Sequence, residues 1–66
     1  MSNFRVCKIK PETQAVDGFV KFDDKQDAEH YAKNQSSSDL AHGYEVQKNE
    51  NGEFRVLKTY LNGQET

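Results

Sequence analysis

Seven side chains in this sequence have the types and spacing to invite chemistry: Cys7, Asp23, Asp24, Asp27, Glu29, His30 and His42. Asp23, Asp27 and His30 follow one another at intervals of four and three, which places them along one side of a helix. A structural zinc site asks for four ligands rich in cysteine and histidine, and a catalytic one for three well-oriented ligands with supporting partners. Aspartates at a helix start beside a surface histidine fit capping better than metal binding. Cys7 would be a nucleophile only with a base or a positive field at its sulfur, and a small residue inside a strand points to packing. Paired-carboxylate acid/base work is equally weak, because the aspartates crowd an exposed helix end. The glycines, Gly18, Gly43, Gly52 and Gly63, are isolated and form no phosphate-binding pattern. The expectation is therefore a protein that is not an enzyme, with no metal and no cofactor.

What remains is charge. The chain carries a formal charge of −2 over 66 residues. Residues 4–10, 16–22, 44–48 and 54–60 read as strands, and they hold Arg5, Lys8, Lys10, Lys21, Lys48, Arg55 and Lys58 against Asp17 and Glu45. That is a net +5 on the strands and −7 on the rest of the chain. If one helix covers one face of the sheet, the other face is basic and the helical side acidic, a polarised surface suited to steering a charged partner. Arg5, Lys21, Arg55 and Lys58 are the expected contacts for an acidic or phosphate-bearing surface. Asp23, Asp24, Asp27 and Glu29 are the contacts for a basic one.

These side chains must be positioned by a small set of elements. Asn51-Gly52 between alternating apolar residues is a strong hairpin signal, since both residues accept the positive φ of tight turns. A strict two-residue turn would oppose Lys48 to Arg55, a like-charge cost. A three-residue loop, Glu50-Asn51-Gly52 with Gly52 as a bulge, avoids it and pairs Val46 with Val56 and Lys48 with Phe54. That register puts Tyr44, Val46, Phe54, Val56 and Tyr60 on the core side, with Glu45, Gln47, Arg55 and Leu57 on the other. At the other end of the chain, Phe4 to Ile9 reads as a strand with a bulge near Val6-Cys7. Pro11 then breaks it. In Val16 to Phe22, Val16, Val20 and Phe22 share a face and Phe19 lies opposite.

Asp23 and Asp24 are good N-caps for a helix over about Lys25 to Asn34, with Ala28, Tyr31 and Ala32 as a thin apolar stripe. Asn34 to Ser38 reads as a polar loop, Asp39 to Gly43 as one helical turn, and residues 62–66 as a frayed tail beyond an ordered core of about 4–61. The fold class is α+β, a single domain of ββαββ order with an antiparallel sheet of about four strands and one helix on one face.

Two likenesses follow from these segments. Phe22-Asp23-Asp24-Lys25-Gln26-Asp27-Ala28-Glu29-His30-Tyr31-Ala32 is similar to the strand-to-helix junction of the arm-type DNA-binding domains of phage integrases. Phe4-Arg5-Val6, Ala28, Ala32, Gly43-Tyr44-Glu45-Val46 and Phe54-Arg55-Val56 resemble the rhythm of peptidoglycan-binding SPOR domains, although an extra strand precedes the helix here. No residue role is carried over from either.

A core this thin rarely supplies more than about 3–5 kcal/mol below some 70–80 residues, and with one cysteine no internal disulfide supplements it. Docking on a larger protein or complex, or homo-oligomerisation, is the expected supplement. No segment approaches the roughly 20 apolar residues of a membrane span, and Met1 to Arg5 shows no leader-like apolar run, so the chain reads as cytosolic and without a membrane role. The function expected is a protein-protein binding module, an inhibitor of a larger host complex of the kind phages and mobile elements encode. The alternative is a nucleic-acid-binding protein using the basic sheet face. Phe19 is then its one clear stacking platform, and a pI near 5.6 weighs against it.

Overall fold

Asn51 and Gly52 adopt φ of 54° and 91°, and Glu50 pairs with Glu53 across them. This is the two-residue turn whose twist matches that of the strands. In the computed structural model, which describes residues 3–66, β1 (Phe4–Ile9), β2 (Val16–Phe22), α1 (Lys25–Ser38), β3 (Gly43–Glu50), β4 (Glu53–Leu61) and β5 (Gln64–Glu65) follow in order. Met1 and Ser2, the start of the segment read as lacking a leader, lie outside the described residues. The strands form one antiparallel sheet in the order β2-β1-β3-β4-β5, so the two hairpins join through β1 and β3. The α+β architecture with the helix against the sheet is as expected, with five strands rather than four.

The register of the second hairpin differs from the expected one. Lys48 does sit opposite Arg55, and the irregularity falls later: Gln47 opposes Val56 and Val46 opposes Lys58, leaving Leu57 as the extra residue. Arg55 offsets part of the like-charge cost by reaching Glu50 at 3.7 Å. Because a one-residue slip reverses every side chain, Phe54 and Val56 leave the core side and stand exposed, while Tyr44, Val46 and Tyr60 stay buried.

In the first hairpin the bulge sits on β2 instead of β1. Cys7 opposes Phe19 and Ile9 opposes Val16, so Asp17 and Gly18 together face Lys8. Gly18, at φ 124°, supplies the conformation. Val16 is thereby turned to the face of Phe19, away from Val20 and Phe22.

Asp24 caps α1, its Oδ1 accepting from the Gln26 N–H at 2.9 Å. Ala28, Ala32 and Ser36 form a fully buried line at intervals of four, and their small size lets the helix lie close to the sheet. The helix therefore runs one turn beyond Asn34. Ser36 is tolerated inside because its hydroxyl donates to the Lys33 carbonyl and accepts from the Gly63 N–H, both at 3.0 Å. The expected frayed tail is likewise a turn and a strand: Asn62 and Gly63 have φ of 56° and 78°, and Leu61 and Tyr60 pair with Gln64 and Glu65. Residues 39–42 form a turn, not a helical one. The core is Val6, Ala28, Ala32, Tyr44, Val46 and Tyr60, edged by Phe4, Phe22 and Tyr31.

Candidate binding face

The side of the sheet away from the helix is built on β1 and β3. Cys7, Ile9 and Gln47 are buried there, beneath larger neighbours that β2 and β4 contribute. Arg5 lies across them. Its Nε donates to Gln47 Oε1 at 2.8 Å, and Gln47 Nε2 donates in turn to Glu45 Oε1 at 3.0 Å. The guanidinium carbon stands 3.6 Å from the Phe54 ring centroid and 5.2 Å from that of Phe19, so a cation is flanked by two aromatic rings. Around this centre Val16 is 56% exposed, Phe19 50% and Val56 48%. Lys21 opposes Arg5 directly.

Of the four predicted cations, the structure brings Arg5 and Lys21 together on this face. It does not bring Arg55 and Lys58 there. The early turn and the Leu57 bulge turn both to the helix side, where Arg55 reaches Glu50 and Lys58 lies between Glu29 at 3.5 Å and Glu65 at 3.6 Å. Those two carboxylates raise the Lys58 pKa. Of the predicted acids, Asp24 is the helix cap, and Asp23 and Asp27 are exposed at the helix start. Glu29 is engaged by Lys25 and Lys58. The basic-face and acidic-side picture thus narrows to one pair of cations and one exposed pair of acids. Phe54, assigned to the core by the expected register, is a second aromatic on the open face.

A second cluster arises where the helix ends. The Asp39 carboxylate accepts from the Ala41 N–H (3.1 Å), faces His42 Nδ1 (2.9 Å), accepts from the Tyr44 hydroxyl (3.1 Å) and lies 3.7 Å from Lys8 Nζ. His42 Nε2 is 3.3 Å from Asp17. The His42 bond, first among several, holds the Asp39 carboxyl below its ordinary pKa. Burial, and then the bond to Asp39, push the Tyr44 hydroxyl up to about 12. Both ring nitrogens of His42 face carboxylates, which leaves none to serve a substrate. The cluster ties the β2 bulge to the end of α1. Its local part, a capping Asp39 with His42 three residues on, could be read from the sequence; the contact with Asp17 could not.

Cys7 lies under the open face, and burial raises its thiol pKa, partly countered by Arg5. Among the described residues no three histidine, cysteine or acidic side chains are placed to hold a metal ion. No described helix is long and apolar enough to cross a membrane. No family model matches the chain, and no curated protein or solved structure matches it.

Proposed function

We propose that this chain is a non-enzymatic binding module that acts by protein-protein contact through the helix-free face of its sheet. The observation that carries this is the exposed pair Phe19 and Phe54 with half-buried Arg5 between them, extended by exposed Val16 and Val56. Aromatic residues and arginine are the types that dominate the energetics of protein interfaces. Arg5 is already oriented by Gln47, so little of its side-chain freedom is left to lose on docking. The titratable groups that converge around His42 are bonded to one another, which favours a binding role over catalysis. A cytosolic inhibitor of a larger host complex, of phage or mobile-element origin, is the form of this activity the sequence reading favours.

A second reading has its own observation. Two aromatic rings flanking an arginine, with Lys21 beside it, is also how single-stranded nucleic acid is stacked and gripped. Two cations make few phosphate contacts, however, and the salt dependence would be shallow.

The test compares Phe19→Ser/Phe54→Ser with Arg55→Glu on the far face, each checked for unchanged circular dichroism and thermal midpoint, in quantitative cross-linking capture. Proteins captured by the native chain should be lost with the first variant and kept with the second. Equal recovery with both would remove the open face as the interface. Oligonucleotide binding that falls with salt and needs Phe19 and Phe54 would select the second reading.

A further inference from the structure

The two outer edges of the sheet are unlike. Along β4 the residues ahead of the short β5 pairing include Glu53, Arg55 and Lys58, and Leu57 interrupts the ladder. Charges and a bulge are the devices by which an edge is closed to other strands; on β2 the bulge and Asp17 stand at one end, leaving residues 19–22 in regular register with Lys21 as their one charge. Along β2, at the opposite edge, all residues but Phe22 are exposed, and the exposed apolar ones stand on both faces: Val16 and Phe19 on the open side, Val20 (43% exposed) on the helix side. The helix packs over the inner strands and leaves a groove of about 210 Å³ beside β2, lined among others by Gly18, Val20, Tyr31 and Gln35. A segment laid along this edge would find unpaired backbone groups and a slot for alternate side chains.

Charge specifies what that segment carries. Lys21 and Arg5 are directly opposed, a like-charge pair that costs stability, and among the described residues neither has an acidic partner. Asp17, the only acid of β2, is turned to the helix side by the bulge and held by His42. Two copies paired over the middle of β2 do not neutralise the pair: centred on Lys21, two β2 edges would oppose lysine to lysine. Centred on Val20, they would bring each Lys21 beside Phe19 and Arg5 of the other copy with no carboxylate.

We propose that β2 is a docking edge for an extended segment of another protein that alternates apolar and acidic side chains. The apolar ones enter the groove at Val20 and Tyr31, and a carboxylate meets Lys21 and Arg5 on the open face. This rests on the protein-contact reading above and names the chemistry of the partner.

The experiment titrates the full chain, followed by amide NMR, with a capped heptapeptide alternating valine and glutamate, its valine-lysine counterpart, and a proline-interrupted glutamate version. The glutamate peptide should shift the amides of Val16–Phe22 and of Tyr31 saturably. It should bind about fivefold or more tightly than the lysine peptide, as exchanging an attractive for a repulsive cross-strand pair requires, and proline should abolish binding. Lys21→Glu should invert the preference. No binding at millimolar peptide, equal affinities, or shifts confined to Phe54 and Val56 would overturn the proposal. So would broadening of β2 amides with protein concentration alone, which would mark a second copy, or saturable shifts there from an oligothymidine instead of the peptide. If the edge fails while Phe19→Ser/Phe54→Ser still abolishes capture, the open-face reading stands without it.

Discussion

Removing the Ser36 hydroxyl is the sharpest test of how α1 and the end of the sheet are held. Ser36 is fully buried, and its Oγ is the partner of the Gly63 N–H at 3.0 Å. Ser36→Ala leaves that N–H without its acceptor, a loss of roughly 1–3 kcal/mol for a buried donor. Gly63 is only half-buried, so water recovers part of it and the lower half of that range applies. Alanine also returns up to about 0.7 kcal/mol of helix propensity. The expected net loss is about 1 kcal/mol, which for a chain of this size lowers the thermal midpoint by roughly 4–8 °C. Ser38→Ala, at the exposed helix end, gains propensity alone and should be neutral or slightly stabilising. Urea denaturation gives the difference in free energy, and amide exchange locates it. Gly63 and Glu65 should exchange about fivefold faster or more in Ser36→Ala while β1 shifts only with global stability. If Ser36→Ala matches the native stability and Gly63 exchange is unchanged, the hydroxyl does not join helix to sheet.

Two further outcomes follow from titrating groups. Tyr44, raised to about 12 from an ordinary value near 10, binds its proton more tightly folded than unfolded. Its stabilising share is thus complete below pH 10 and lost as pH rises toward 12. Alkaline unfolding followed at the tyrosinate absorbance should show this loss, and Tyr44→Phe should remove it, leaving the share of Tyr60, whose hydroxyl burial also raises. A loss of the same size in Tyr44→Phe would refute the assignment. Cys7, fully buried with a raised pKa, should resist a thiol-disulfide reagent for hours at neutral pH and react at once in urea; rapid labelling of the folded chain would show that the open face does not cover it.

The parts of the fold set by local chemistry were readable in advance. Asp24 caps the helix, Asn51-Gly52 makes the hairpin, and the ββαββ order follows from residue type and spacing. What went astray depends on pairings across the sheet. An isolated glycine inside a strand, Gly18, is a sign of a bulge, but nothing near Leu57 announces a surplus residue, because a bulge is defined by its partner strand, and the two bulges decide which way Val16, Phe54 and Val56 point. The cation set was split for the same reason. Ser36 stands in a stretch of loop composition, although its interval of four from Ala32 continues the buried line. Asn62-Gly63 repeats the dipeptide that was decisive at Asn51-Gly52, but with only two residues of strand after it the hydrophobic alternation that reveals a hairpin is missing. Of the open face, Arg5, Lys21 and Phe19 were identified from the sequence and Phe54 was not.

The placement of α1 over the inner strands has an effect on motion as well as on recognition. β1 and β3 carry buried residues on both faces, Val6 and Val46 under the helix and Cys7, Ile9 and Gln47 on the open side, whereas β2 is fastened by its ladder to β1, the packing of Phe22 on Tyr31, and the Asp17–His42 tie at its far end. The molecule therefore has a seam. Thermal excursions that would be costly elsewhere can peel β2 outward while the remaining strands keep their packing.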